Sequence, residues 1–592
     1  MGPANDFYDQ KSKEYSDLYL SLKSKLRWFG AYRFLVFVFI FVPFFIVGFS
    51  VWSVCVALFF LILFFYLIKL NLRFDRQKKR TMILKTLVED EQKALGHSFL
   101  HFSSGKEFLD TDHFFSYDLD LFGDGSLFQF LNRTVTLGGK RKLADWLNHP
   151  SKEITEIENR QQAILELSQM PGWRLQFLAD GKMFEETEAL NKEIRSWSVT
   201  GLSLNRPTSI RWMIWIIPAF TLLSFIPSIL GFTDLFLVLF ILMQWFILGF
   251  SGKQITQYFL VFGRKSQLLS KYMQLLEKLE SQDFKSSYLL KLQKKVKQPS
   301  AGRTFGELKK LVAQFEYRQN IIVGFALNSL LLWDIRCVYR LWVWHNKNHR
   351  NLAEWLDAVA GLDALISLAN YTNNHPAFVF PKLNSDGFVL EAEALGHPLL
   401  RDEKRVCNDL EISGWSKVMI VTGANMAGKS TFLRTVGVNL LLAASGAPVC
   451  ARRMRFTPVD LYTNMRTTDS LLKDESYFFA ELKRIKTVLE KLQNGERIFV
   501  ILDEMLKGTN SVDKLNGSKE LIRKLVEFEA VSLIATHDLK LSEMEKEFPQ
   551  RVFNKCFEIR IESDELVFDY TLSDGVTQTM NATFLMKKMG II

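Results

Sequence analysis

Cysteine is scarce in this chain of 592 residues: five are spread over Cys55, Cys337, Cys407, Cys450 and Cys556, with no CxxC pair and no Cys/His cluster. That spacing excludes a disulfide framework and a cysteine-based zinc site, and it favours reduced thiols in a cytosolic setting. Low-complexity tracts are missing as well. The opening stretch, MGPANDFYDQKSKEYSDLY, lacks the basic, apolar, small-residue order of a cleaved signal peptide. Tyrosine is thin beside phenylalanine, 15 against 51, and many of the phenylalanines crowd into two segments that lack charge altogether. What the composition does supply is 48% hydrophobic residues, 23% charged residues and a net charge of +10. Such a balance suits a folded protein able to approach nucleic acid or anionic lipid. The length exceeds what one core accommodates and implies three or more domains.

Between Arg33 and Lys69 stand 35 consecutive residues without a formal charge. As one helix they would be about 50 Å long, against a hydrocarbon core of about 30 Å. A break near Gly48–Ser50 gives instead two spans of roughly 17 residues each. Lys23, Lys25, Arg27 and Arg33 precede the run; Lys69, Arg73, Arg76, Lys78, Lys79 and Arg80 follow it; the turn has no basic residue. The positive-inside rule then puts both ends on the cytoplasmic side. A second segment repeats the pattern, with Trp212–Thr233 and Leu235–Gly252 uncharged and Asp234 between them. Arg206 and Arg211 precede it, Lys253, Arg264 and Lys265 follow, and Trp212, Trp215 and Trp245 fall near the expected inner interface. The expectation is a multi-pass membrane protein of four spans, in two hairpins, with both termini cytoplasmic. A third apolar run, Ile321–Trp333, has only 13 residues with Asp334 and Arg336 directly after it, and reads as a buried helix of a soluble domain.

These marks divide the chain. Residues 1–32 are expected as an N-terminal helical segment, 33–70 as the first hairpin and 71–111 as a helical stalk. Residues 112–209 form the first part of a core domain, 210–252 the second hairpin, 253–376 a helical lever and second part of the core, and 377–592 an α/β domain. Within the first core part, GDGS, Gly138–Gly139 and Asn148–His149–Pro150 are turn signals between amphipathic helices. The lever pattern is helical almost throughout, broken at Gln298–Gly302. From about Ala377 short β-branched runs alternate with helices, the pattern of a parallel α/β sheet.

Residues 417–421 read as a buried strand leading into Gly423-Ala424-Asn425-Met426-Ala427-Gly428-Lys429-Ser430, which fits G-x-x-x-x-G-K-[ST] at every required position. A helix follows from Thr431. Such a loop wraps backbone N–H groups round phosphates, and the helix N-terminus adds positive potential. The residues from Gly423 to Thr431 are thus the expected ATP contacts, with Lys429 reaching the β- and γ-phosphates and Ser430 ligating Mg2+. Residues 497–504 form an apolar strand that ends in two acids: Asp503 suits the Mg2+ shell, and Glu504 suits the orientation or activation of water. A third strand, residues 531–535, ends in Thr536-His537, where His537 is poised to sense the γ-phosphate.

The wording around these positions resembles the MutS family. TGANMAGKST stands where that family has TGPNMGGKST; residues 503–511 are similar to its DE-x-x-x-GT-S stretch, Ala535-Thr536-His537 to its ATH, and residues 396–400 to its G-R-H-P segment. Residues 476–481 resemble its STF-x-x-E signature, whose serine, here Ser476, reaches the nucleotide of the opposite subunit in that family. On its own Ser476 reads as an ordinary helix N-cap. Residues 120–140 and 159–164 look like parts of the MutS core domain, so that the resemblance covers about residues 112–200 and 260–590. It implies a multidomain fold in which the helical hairpins accompany an all-α core and lever domain and a C-terminal α/β P-loop (ABC-like) ATPase domain. It also implies a homodimer through the ATPase domains, ATP and Mg2+ as cofactors, and DNA as a partner beside the lipid bilayer. Departures are visible too. Ala424 and Ala427 replace a Pro and a Gly, and Met505-Leu506-Lys507 differs from the family wording. Nothing before residue 112 resembles the mismatch-reading domain, and the second hairpin falls about where family members insert a DNA-clamping domain.

The expected function is a membrane-anchored ATPase of MutS type, coupling ATP hydrolysis in a dimer to mismatched or branched DNA. The alternative is an ATP-driven membrane protein, for transport or membrane remodelling, with no DNA role. Against transport, the spans carry no ionisable residue apart from Asp234 at a turn. The basic stretch at residues 291–297 suits a phosphate backbone or a solvated helix face alike.

Overall fold

The computed structural model of the chain describes residues 3–199, 203–263, 265–424, 426–466, 477–506, 508–562 and 565–578. Two helices of 45 residues, α1 (Pro3–Val47) and α2 (Val51–Leu95), open the chain and pack along each other. They turn where the uncharged run was expected to fold back. Gly48 takes a φ of +68° there, a left-handed value open to glycine without strain. Ser50 then caps α2: its hydroxyl accepts from the Ser53 amide at 3.2 Å, and the Ser53 hydroxyl accepts from the Ser50 amide at 2.8 Å. The separate segment, span and stalk expected over residues 1–111 are therefore two unbroken helices, and the stalk is shorter than expected. Gly96 closes α2, and residues 96–111 hold only the short turn Lys106–Phe108, because Ser103-Ser104-Gly105 favours turns over helix.

The base of this hairpin is fixed to the helical body. Tyr8 is buried and donates to Asn374 Oδ1 at 3.0 Å; Arg80 donates to Asp180 at 2.7 Å; buried Glu91 accepts from Arg133 at 2.6 Å and from Asn374 at 2.8 Å. The far half exposes a continuous apolar surface that includes Phe45, Phe49 and Trp52. The second hairpin consists of α3 (Pro207–Leu223), the short helix Phe225–Ile229 and α4 (Leu235–Phe262). Among the described residues, α1, α2, α4 and the run Pro207–Ile229 are long and apolar enough to cross a membrane.

The third apolar run departs from expectation. It forms α5 (Ile321–Leu331), which meets α6 (Trp333–Asn374) at an 80° bend about Leu332. It is no buried helix of a soluble core: Ile321, Ile322 and Phe325 are exposed, and the buried face is Gly324, Asn328 and Ser329. Length alone made it look like core, whereas its neighbours α3 and α4 are themselves apolar on the outside. α6, 42 residues long, is the axis of the helical body, and residues 358–371 are buried without interruption. Helices Leu137–Asn148, Ile154–Ser168, Glu188–Val199 and Ala301–Glu316 pack on it. Asp363 on α6 accepts from the Thr136 amide at 2.8 Å, the Thr136 hydroxyl at 2.7 Å and the Val135 amide at 3.1 Å. Burial pushes its carboxyl up to about 6, these hydrogen bonds opposing the shift. Gly139 lies so near that a Cβ there would stand 2.2 Å from an Asp363 oxygen.

The C-terminal part holds two sheets. Four short strands, β1 (Lys382–Leu383), β2 (Val389–Leu395), β3 (Asn408–Ser413) and β5 (Arg453–Phe456), form a mixed sheet in the order β1-β5-β2-β3. Its strict in–out alternation at β3 marks a sheet with one solvated face, which the expectation of a single parallel sheet overlooked. The larger sheet runs β10-β9-β4-β8-β7-β6, with β4 (Lys417–Gly423), β6 (Asp460–Asn464), β7 (Ile498–Asp503), β8 (Val531–Thr536), β9 (Val552–Glu562) and β10 (Glu565–Asp574). It is parallel from β9 to β6, as expected. β10 is antiparallel, since two residues between β9 and β10 allow only a hairpin.

Candidate nucleotide cleft

β4, β7 and β8 end side by side. Thr422 is in register with Thr536 and Asp503 with Ala535, so the segments that follow these strands open on one edge of the sheet. The glycine loop follows β4 and delivers the chain into α7 (Lys429–Ala444). Gly428 has a φ of +103°, and a Cβ on it would stand 2.9 Å from the Tyr570 ring, so glycine is required on both counts. Ala424, Met426, Ser430 and Thr431 line the same opening; Ala427 is buried beneath it, and Asn425 lies outside the described residues. Lys429 is buried at the start of α7 and folds back on its own loop, donating to the carbonyls of Gly423 at 2.7 Å and Ala424 at 2.9 Å. Desolvation lowers its pKa, and the nearby Glu504 and Asp503 charges oppose the shift.

Glu504 follows β7 with a φ of +56°, a conformation rare for a side chain of this size, and is held by its N–H to the Ala535 carbonyl at 3.0 Å. Its carboxylate Oε1 lies 3.1 Å from His537 Nδ1. The loop beyond it is held from behind by Glu481 on α8 (Tyr477–Gln493). The buried Glu481 Oε1 accepts from the Leu506 N–H at 2.8 Å and from Asn464 Nδ2 at 3.1 Å. Ser476, just before α8, lies outside the described residues, as does Lys507.

Between loop, α7 and sheet edge is a cavity of about 870 Å³ that Lys429, Ser430, Glu504, Tyr570, His397 and Lys404 line. Its size is within the usual range for small-molecule sites. The structure thus gathers the loop residues and Glu504 on one opening, with Asp503 and His537 on the same sheet edge. Sequence reasoning missed Tyr570 and Asn408. Asn408 Nδ2 donates to the Tyr570 carbonyl at 3.1 Å and its Oδ1 accepts from Leu572 at 2.7 Å, tying β10 to β3 beside the loop. No local spacing signals this, because the two residues are remote from the loop and from each other in sequence. His397, noted only for its family wording, lies in the wall, and burial pushes its pKa down to about 4, with Arg434 and Arg405 adding to the shift.

A second cluster joins this α/β unit to the segment that opens the helical body. Buried Asp118 accepts from the Thr463 hydroxyl at 2.6 Å and the Arg466 amide at 2.8 Å. Asp120 is bound by both terminal nitrogens of Arg466 and lies 3.5 Å from Arg434 on α7. Leu119, between them, packs where a Cβ on Gly437 of α7 would stand 2.8 Å away.

A helical body threaded by one long helix, followed by mixed α/β sheets whose strand ends gather round one cleft, defines a multi-helical protein with a C-terminal α/β unit. The match to known families follows the same division: the MutS domain III model matches residues 117–369 and the MutS domain V model residues 419–587. The chain belongs to the MutS family. It is similar to the DNA mismatch repair protein MutS of Thermotoga maritima, 31% identical over 255 residues, which are 41% of this chain and 31% of that protein. It is also similar to MutS protein homolog 4 of Mus musculus, 27% identical over 45% of this chain and 26% of the relative. A third relative, the DNA mismatch repair protein msh3 of Aspergillus fumigatus, is 29% identical over 39% of this chain and 21% of its own length. The chain thus spans less than a third of the length of these relatives.

Proposed function

We propose that this protein is a membrane-anchored MutS-type ATPase, which binds and hydrolyses ATP in a homodimer formed through its ATPase domains and couples that cycle to mismatched or branched DNA. The observation that carries the reading is the meeting of the glycine loop, Lys429 and Glu504 at one cavity of about 870 Å³, with His537 3.1 Å from Glu504 on the same sheet edge. The residues fit a nucleoside triphosphate with its metal: the loop has no side chain at Gly428, and Lys429 donates to two loop carbonyls that phosphate oxygens can replace.

The roles follow from the chemistry of each group. Loop N–H groups between Gly423 and Gly428, and those opening α7, face anionic oxygens. Lys429 exchanges its carbonyl contacts for the β- and γ-phosphates. Ser430 and Asp503 would hold a Mg2+ ion, whose charge offsets that of the phosphates. Glu504 orients a water and takes its proton, and His537, hydrogen-bonded to Glu504, keeps the carboxylate aimed and senses the γ-phosphate. Ser476 from the second subunit completes the site, as the family likeness implies. The four long apolar helices with outward Phe, Leu, Ile and Trp side chains, and the basic residues flanking them, support attachment to a bilayer with both termini and the ATPase domain cytoplasmic.

The test is ATPase activity of the detergent-purified protein alone and with homoduplex, mismatched or branched DNA. Stimulation by DNA, or nucleotide-dependent retention on it, is expected. Robust turnover indifferent to every DNA favours the second reading, an ATP-driven role in transport or membrane remodelling, which gains weight because a hairpin stands at the position of the family's DNA-clamping insert. Glu504→Gln is expected to bind nucleotide and dimerise but to lose turnover about a hundredfold or more; undiminished turnover removes Glu504 from its role.

A further inference from the structure

We infer that α5 is a third membrane element, a half-length helix whose apolar face lies among lipid acyl chains beside the second hairpin; this rests on the membrane reading above. α5 is inside out relative to a helix of a soluble domain. Its outward residues are Ile321, Ile322 and Phe325, exposed by 86, 81 and 60%, whereas its inward residues are Gly324, Asn328 and Ser329. In water that arrangement forfeits the burial that makes a helix pack; in lipid it is the expected one, with small and polar side chains at helix contacts. α3 and α4, on which it packs, have the same polarity: Phe220, Phe246 and Phe250 point out, and Thr221 and Gln244 are buried. The exposed face of α5 therefore continues theirs.

The bend is built for a place without water. A non-helical residue at membrane depth is tolerated only where protein covers it and its backbone groups are satisfied. Leu332, at the 80° bend with a φ of +48°, is fully buried, and its amide donates to Gln244 Oε1 at 3.1 Å. Gln244 in turn donates to the Thr221 hydroxyl at 2.6 Å. Trp245 Nε1 donates to the Ser329 hydroxyl at 3.0 Å, and Trp245 stacks on Phe325 with ring centroids 5.2 Å apart. At the other end, the Asn320 side chain accepts from the Ile322 and Val323 amides, each at 3.1 Å. Among these the polar groups of α5 are paired while Ile321, Ile322, Val323 and Phe325 are bare.

Position agrees with depth. Gln244 lies about 13 Å along α4 from Lys253, and Trp245 beside it belongs to the inner-interface belt, so the bend sits toward the cytoplasmic side of one leaflet. α5 itself is about 16 Å long, too short to span and long enough to lie within that leaflet. Charged and aromatic groups gather where α6 leaves it. Arg336 stacks over Trp215 at 4.5 Å, Arg318 pairs with Asp334 at 3.5 Å, and Trp333 stacks on Tyr317 with centroids 6.5 Å apart. That is the composition of a headgroup belt.

The experiment uses the full chain in phosphatidylcholine–phosphatidylglycerol vesicles, with the exposed Cys55 and Cys407 replaced by Ala and one environment-sensitive fluorophore on Ile322→Cys or Phe325→Cys. Both positions are exposed, so neither label displaces packing. Phe246→Cys on α4 and Leu290→Cys on the solvated helix Ser287–Lys297 serve as references. Lipids with a quencher part-way down the acyl chain are expected to extinguish the labels at residues 322 and 325 as fully as the one at 246, and to spare the one at 290. Labels at 322 and 325 that match 290 while 246 is quenched overturn the inference and leave the membrane reading standing. Loss of quenching at 246 as well overturns the membrane reading, and the inference with it.

Discussion

Replacing Asp118 by alanine is expected to loosen the joint between the helical body and the α/β unit. The carboxylate is buried and accepts from the Thr463 hydroxyl at 2.6 Å and the Arg466 amide at 2.8 Å, with Arg484 3.7 Å away. Alanine leaves the Arg466 amide without this acceptor and the Thr463 hydroxyl with only the longer contact to the Phe114 carbonyl at 3.3 Å. Hydrogen bonds to a charged group are each worth about 1.5–3 kcal/mol, and the relief of an expensive buried charge returns part of that. The net loss is then about 3 kcal/mol, equivalent to local opening about a hundredfold more frequent. Asp118→Asn keeps an acceptor for the Arg466 amide and costs about 1 kcal/mol. The measurement is hydrogen–deuterium exchange of the full chain in detergent, read in peptides covering residues 113–121 and 460–466. A graded loss of protection, Ala beyond Asn, is expected in both peptides at once. Exchange in Asp118→Ala that matches the unmodified chain would refute the energetic reasoning.

Glu481→Ala, which frees the Leu506 amide behind Glu504, is expected to leave nucleotide affinity near its original value and to lower turnover about a hundredfold, as a small displacement of a catalytic group does; paired binding and turnover assays separate the two. Acid is expected to destabilise the fold through His375 and His397, both held near 4 by burial. Above pH about 6.5 neither the folded nor the unfolded state binds those protons; below it the unfolded state does, costing up to about 3 kcal/mol per histidine by pH 4. Asp363, raised to about 6, works in the opposite sense, since its folded state takes up the proton first and regains about 2 kcal/mol over pH 6 to 4. Denaturant titrations across that range, with His397→Gln flattening the acid limb, check both signs. Gly139→Ala would force a Cβ into Asp363 and is expected to cost about 2–3 kcal/mol, visible as a lower thermal midpoint.

What was legible in the sequence was what short spacing encodes. The glycine loop, the acids at 503–504 and His537 were found because each sits at the end of a β-branched run, and parallel strands bring such ends together. The turn at Gly48–Ser50 was found because charge vanishes on either side of it. Contacts between distant segments left no such trace. Asp120 read as the start of a family phrase and Asp118 carried no motif, so neither showed as an acceptor for Arg466, and Tyr570 carried no motif although it borders Gly428. α5 was misread since a run of 13 apolar residues says nothing of which face is bare. Its polarity is decided by Ser329, which accepts from Trp245 on α4, and by Asn328, which accepts from the Asp334 amide at the start of α6.

The first hairpin has one further consequence. Each of its helices runs from the body to the far turn without interruption, and its base is bound at Tyr8, Arg80 and Glu91. Asn374, at the end of α6, touches that base, while Leu332, next to the other end of α6, touches the second hairpin. About 39 Å of continuous helix separates Tyr8 from Phe34, where the long uncharged run begins. Such a connection sets a distance rather than limiting one. Held in a bilayer, the cleft would stand at a constant height and orientation, and only partners able to enter that gap would reach it.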